Sequence, residues 1–306
     1  MFPKKFQLLV LVLLLAGGGL GYWLGHVAGI PDPAYAADTS PTIALPEKIS
    51  TETPIEEILM LMLHSHERWQ SAVAQGVIRD SAGHEISHHL VVLQESLQGP
   101  FFVRVEFGLS GQNMPFLYVM DGEKLWQAHT GLKIYTERPY HDDSIYPPEK
   151  LPAVNSPNNP IISHPLERLL PSPLIELLFP AGIAQSMYLD VNNVSILKED
   201  EVVGRQAIVL QWLSHPLKYL FYIDTRTGSV LRREVYSTYL NEGAFAETWY
   251  EQIELTKIAF NEEKSLSLFQ FQPGNDFRFL QPLDFEQVTS DDWMKRLDEQ
   301  IVEKGE

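Results

Sequence analysis

Three histidines, His84, His88 and His89, fall within six residues and are the most suggestive group for metal chemistry. On a helix, His84 and His88 would share a face four residues apart and could hold zinc. The surrounding residues read instead as a turn followed by a strand. There the two rings still share a face but stand about 13 Å apart by strand rise, so a metal would need distant ligands. No metal is assigned. His64 and His66 flank the end of a predicted helix and read as a polar terminus. Gly108-Leu109-Ser110-Gly111 lacks the spacing of a nucleophile elbow. The chain has neither a Walker loop nor a G-x-G-x-x-G turn. Its 40 carboxylates make chance pairs inevitable, so no glycosidase pair follows from sequence. With no cysteine, thiolate zinc, iron–sulfur clusters, disulfides and a cysteine nucleophile are all excluded. The chemistry expected is therefore non-catalytic binding without a cofactor.

Composition narrows the partner. The 306 residues are 44% hydrophobic and 21% charged, enough to bury a large core, and the formal charge is −17. Nucleic-acid binding starts from a basic patch that displaces counterions, and nothing here supplies one. An anionic lipid surface would also repel the domain, so membrane proximity must come from the N-terminus.

That terminus carries Lys4-Lys5, an uncharged stretch from Phe6 to Ile30, and Ala34-Tyr35-Ala36. A positive start, an apolar run and an A-x-A site form an export signal, with cleavage after Ala36. This uncharged 25-residue stretch would also span a bilayer if retained as an anchor. Either outcome places the rest of the chain outside the cytoplasmic membrane. Residues 1–36 are thus read as signal peptide or anchor and 37–52 as a linker.

A helix is expected from Thr53-Pro54-Ile55-Glu56, with Thr53 capping and Glu56 completing a capping box. Ile55, Ile58, Leu59, Met62 and Leu63 mark its buried face. From Trp69 the period becomes two, and strands are expected near 69–79, 85–97, 101–107, 116–120, 124–128 and 132–137. Asp121-Gly122 is the strongest hairpin signal. Nine prolines between Pro139 and Pro173 exclude regular structure through most of that segment. Pro173–Met187 reads as a very apolar helix broken at Pro180. Strands resume near 194–198, 206–213, 218–224, 229–237, 247–260 and 268–271, and Asp284–Glu303 reads as a polar surface helix or tail. The class is mainly β with inserted helices (α+β), and the absence of βαβ alternation disfavours Rossmann and TIM folds.

The order of short motifs is more specific. Val73-Ala74-Gln75-Gly76-Val77 follows the first helix, then Gly99-Pro100-Phe101-Phe102-Val103-Arg104-Val105-Glu106 and Asp121-Gly122-Glu123-Lys124-Leu125-Trp126. Val203-Gly204-Arg205-Gln206-Ala207, Tyr222-Ile223-Asp224-Thr225-Arg226-Thr227-Gly228, Leu231-Arg232-Arg233-Glu234 and Phe269-Gln270-Phe271-Gln272-Pro273 complete the series. This ordered set resembles the LolA-like superfamily, which holds periplasmic lipoprotein carriers and the amino-terminal domain of RseB/MucB regulators. The resemblance implies a LolA-like β domain over 53–273, an incompletely closed antiparallel barrel of about eleven strands with helices across its concave face. Residues 274–306 would form a partly helical tail. It also implies an apolar ligand such as a lipid or lipoprotein acyl chain, with Leu59, Met62, Leu63, Trp126, Leu174, Leu177, Leu178 and Phe179 as the ligand-contacting set. The alternative is a sensor docking on a membrane anti-sigma factor. The same helices could instead pack as plain core. Lipoprotein carriers place a lid-latching arginine before the proline matched by Pro100, whereas Gln98-Gly99 stand here.

Overall fold

The computed structural model describes residues 45–94, 101–140, 166, 170, 172–241 and 244–304. The expected export segment, Gln98-Gly99-Pro100 and most of Pro139–Pro173 lie outside them. Among the described residues no helix is long and apolar enough to cross a membrane.

Two meanders build one sheet. The first runs through β1 (Ser71–Asp80), β2 (Glu85–Gln94), β3 (Phe101–Leu109), β4 (Phe116–Asp121), β5 (Lys124–His129) and β6 (Ile134–Pro139). The second runs through β7 (Val194–Val202), β8 (Arg205–Ser214), β9 (Leu217–Asp224), β10 (Val230–Asn241) and β11 (Ala244–Phe260). β11 returns to pair antiparallel with β1, which fuses the two into a twelve-stranded, unclosed sheet. The twelfth strand, β12 (Arg278–Phe279), adds to β6 in the parallel sense. The expected open barrel is present, its eleven antiparallel strands hemmed by one short parallel one. Leu268–Phe271 is not a strand. Leu266–Phe269 makes a 3-10 turn, and the chain onward lies across the back of the sheet without ladder bonds.

The curvature has identifiable causes. β11 carries an extra residue opposite Gln75/Gly76 and another opposite Val235/Tyr236, where the register steps by one. β10 and β7 are bulged as well. Bulges bend the strand that holds them and raise its twist. By contrast, β2 through β6 keep an unbroken register.

Three helices lie on the concave side: α1 (Ile55–Leu63), α2 (Pro173–Leu178) and α3 (Ala181–Leu189), the last two separated at Phe179-Pro180 as the sequence predicted. α1 is buried on every side from Ile58 to Leu63, as its uninterrupted apolar run requires. Its start differs from the expected capping box. The Thr53 hydroxyl accepts the Ser50 N–H at 2.8 Å, and the Pro54 carbonyl instead takes the N–H groups of Glu57 and Ile58. A local turn over Ser50–Thr53 therefore consumes the hydroxyl meant for the cap.

The packed unit is also wider than 53–273. Ile49 is buried and donates to the Thr225 carbonyl at 2.9 Å. At the other end α4 (Pro282–Lys304) buries Phe285, Thr289, Trp293 and Leu297, one residue per turn of the helix. Gly228 sets how closely α1 approaches the sheet. Its φ is +74°, and an added Cβ would lie 2.5 Å from the Leu61 carbonyl oxygen. Gly204, with φ +72° and open space around it, isolates the backbone effect. Gly228→Ala should cost about 3 kcal/mol or more by urea unfolding, and Gly204→Ala about 1–2 kcal/mol. Equal losses would mean that α1 does not press on this turn.

Candidate functional site

The sheet's alternation fixes which residues can face the helices. On β3 the concave set is Val103, Val105 and Phe107, on β4 Phe116 and Met120, and on β5 Leu125, all in one buried cluster with α1, α2 and α3. Leu59, Met62, Leu63, Leu174, Leu177, Leu178 and Phe179 belong to that cluster, and each has no exposed surface. Seven of the eight predicted residues are therefore brought together. Trp126 is not among them. It sits on the convex face, half-buried, with its ring 5.9 Å from Phe271 and 6.3 Å from Tyr135. Its Nε1–H donates to Asp121 Oδ2 at 3.0 Å across the Asp121-Gly122 hairpin. Strand parity decides this: Leu125 points inward, so its neighbour must point outward.

α2 is the smallest covering element. Leu174 lies over Gly76 on β1, where an added Cβ would come within 2.8 Å of it. Phe179 meets Trp69 at 5.1 Å and Phe101 edge-on at 6.4 Å. Polar contacts fasten the same helix. Arg233 of β10 donates to Glu176 at 2.7 Å and to Glu251 of β11 at 2.8 Å, and the Ser65 hydroxyl donates to the Leu178 carbonyl at 3.1 Å. Burial works against the Arg233 charge, but Glu176 and Glu251 outweigh it and raise its pKa. Sequence reasoning did not single out Glu176 or Arg233. A charged residue inside an otherwise apolar helix was the available signal.

The histidines separate. His84 takes part in a 2.6 Å contact with Asp80, closing the turn before β2. His89 lies on the opposite face from His88 and is shifted down, by burial first, with Glu106 opposing. His88 faces the concave cluster, stacks on Phe107 at 5.1 Å and contacts the Ser172 hydroxyl at 3.2 Å. His66 is buried rather than part of a polar terminus, because the 3-10 turn Ser65–Arg68 tucks it beneath the sheet end. Among the described residues no group of three or more His, Asp or Glu side chains could hold a metal ion. Ser110 bonds to the Ser87 hydroxyl at 2.7 Å.

α4 supplies a further covering element that the sequence reading placed on the surface. Trp293 meets Phe116 at 5.3 Å and Phe107 at 6.0 Å, both edge-on. His129, fully buried on β5, accepts the Leu132 N–H at Nδ1 (3.0 Å), so its proton is on Nε2, which donates to Asp292 at 3.1 Å. Arg296 completes the clasp on Asp292 at 2.5 Å.

No model of a protein family matches this chain, and no curated protein matches it. Among solved structures, a chain of the Pseudomonas aeruginosa MucA/MucB complex is similar over 74% of this chain and 63% of its own length. The identity there is 15% and the TM-score 0.42. A LolA superfamily protein from Nitrosomonas europaea is similar over 72% of this chain and 98% of its own, at 11% identity and a TM-score of 0.23. The structural neighbours of this chain thus include both branches named by the ordered motifs. An uncharacterised conserved protein from Thermus thermophilus matches 74% of this chain and 97% of its own, with 12% identity and a TM-score of 0.39. This chain spans less than two thirds of the MucA/MucB complex chain.

Burial gives the site a pH signature. It pushes His88 down to about 3 and His66 to about 4, from an ordinary 6.5. Below pH 6.5 the unfolded chain binds protons that these folded rings refuse, so stability falls as pH falls toward 4. Above 6.5 the contribution is constant. Each ring should add up to about 1.4 kcal/mol per pH unit to that slope, and His88→Gln should remove one such share. Urea unfolding of both proteins at pH 7 and pH 5 checks this, and parallel losses would contradict it.

Proposed function

We propose that this is an exported, non-catalytic binding protein that holds an apolar ligand, an acyl chain of a lipid or lipoprotein, on the concave face of its open sheet. The observation carrying this reading is α2. Six residues long, it has Leu174, Ile175, Leu177 and Leu178 fully buried, with Phe179 directly after, yet it is fastened by a few polar contacts through Glu176 and Ser65. Exposing those five side chains to water would cost on the order of 10 kcal/mol. The helix can therefore lift only when something equally apolar replaces its contacts. Peptides and sugars of ordinary polarity cannot do so; an acyl chain can. The export signal and the motif order support the same reading, and the two lysines beside the apolar run keep the domain outside.

The test uses the distribution of tryptophans. Trp69 is buried against Phe179 on the concave side, and Trp126 lies on the convex side. Dibromostearate should quench the protein's fluorescence, and Trp69→Phe should remove much of that quenching. Trp126→Phe should leave the quenched fraction in place. Quenching carried by Trp126, or none at all, would reject a concave acyl site. Native mass spectrometry of protein extracted from its own cells should find the acylated ligand still bound.

A further inference from the structure

α4 covers a broad aromatic surface on the concave face. Phe107 and Phe116 stack at 4.7 Å, Tyr118 lies 5.8 Å from Phe107, and His88 extends the row on the β2 side. This surface belongs to the regular, unbulged half of the sheet, and His88 joins it to Ser172 at the start of α2. Trp293 closes it from above with two edge-on contacts, and Leu297 one turn later is buried in the same cluster.

The closure is polar-deficient. Trp293 Nε1, Thr136 Oγ1 on β6 and His88 Nε2 on β2 are all buried and find no hydrogen-bond partner among the described residues. An indole N–H can only donate, and the Thr136 hydroxyl can donate or accept. Buried groups of these kinds are ordinarily satisfied, so each unsatisfied one invites an explanation. Here the three lie along one covered surface, at its lid and on its two flanks. The lid itself is held from the side. Asp292 receives both His129 and Arg296, and α4 reaches that position only after β12 has carried the chain around the edge of β6.

We propose that α4 is a displaceable plug over a second, amphipathic part of the binding face. The acyl chain would lie on Phe107, Phe116 and Tyr118, and a carbonyl-bearing head would meet Thr136 or His88. This rests on the acyl-binding reading and adds to it a location and a gate. While α4 is docked, the ligand sees only the fraction of molecules in which it has lifted, and the apparent affinity falls by that fraction.

The chain has no cysteine, so a single engineered pair can pin the plug cleanly. His129→Cys combined with Asp292→Cys, joined through a short bis-methanethiosulfonate spanner that makes up for the longer reach of histidine and aspartate, ties α4 to β5; its two disulfides make the oxidised form, and a reductant releases it. Binding of cis-parinaric acid is measured by its fluorescence on the exported protein as recovered from cells. The oxidised pair should bind at least about tenfold more weakly than the same protein reduced, and Trp293→Ala should bind about tenfold more tightly than the parent. Since Trp293→Ala removes core contacts, the comparison of oxidised with reduced protein decides where the two disagree. Equal binding by oxidised and reduced protein overturns the plug and leaves the acyl site standing. Failure of the spanner to react also overturns it, because a buried pair that is never exposed lies under a helix that never lifts. If no form binds parinarate, the acyl-binding reading fails and the plug fails with it.

Discussion

Everything on the concave face depends on the bending of β11. It is 17 residues long, the longest of the twelve strands, and it holds the extra residue at two bulges while joining one meander to the other. A flat antiparallel sheet of this width would offer a plane, on which three short helices could not all be buried. Bulged at the seam and again in β10 and β7, the second half wraps around α1 instead. Gly76 sits at one of these bulges, and the missing side chain is where Leu174 of α2 rests. Backbone irregularity and helix docking are thus one feature.

The two halves of the sheet are consequently covered in different ways. The bulged half takes α1, α2 and α3, which arrive from the start of the chain and from the crossover between the meanders. The regular half takes the long α4, while α2 and the break after it reach His88 on β2 and Phe101 on β3. The convex face needs covering too, because Val73, Val91, Leu117 and Val119 point that way. Phe269, Phe271 and Phe277 supply that cover before the chain rounds β6 and becomes α4 on the other side. One continuous C-terminal segment therefore closes both faces.

Most of the sheet was legible in the sequence because two-residue alternation and Asp-Gly or Gly-rich turns are local signals. Helices α2 and α3, with their break at Pro180, were legible for the same reason. The face assignment of Trp126 was not. Alternation says that Leu125 and Trp126 oppose each other, but not which side carries the helices. The helix α4 was expected but its docking was missed on quantity: Phe285, Trp293 and Leu297 are three apolar anchors in a 23-residue helix dominated by charge. Fixed only by tertiary contact, its docking leaves little trace in hydrophobic periodicity. Glu176 stood out as a charge in an apolar helix, but its partner Arg233, 57 residues on, could not be read from local pattern.

The seam also dictates the order in which this molecule can be made. Ala72 must wait for Phe260, so β1 has one bare edge until nearly the whole domain has emerged. Loop closure of that length slows folding, and a bare apolar strand edge invites pairing with other chains. As the chain emerges from its N-terminus onward, the first meander is complete while its concave face, rich in Val, Leu and Phe, has neither α2 nor α3 above it. The half-made domain is therefore a sticky trough, and its need for a chaperone should be greatest in the interval between the sixth strand and the eleventh.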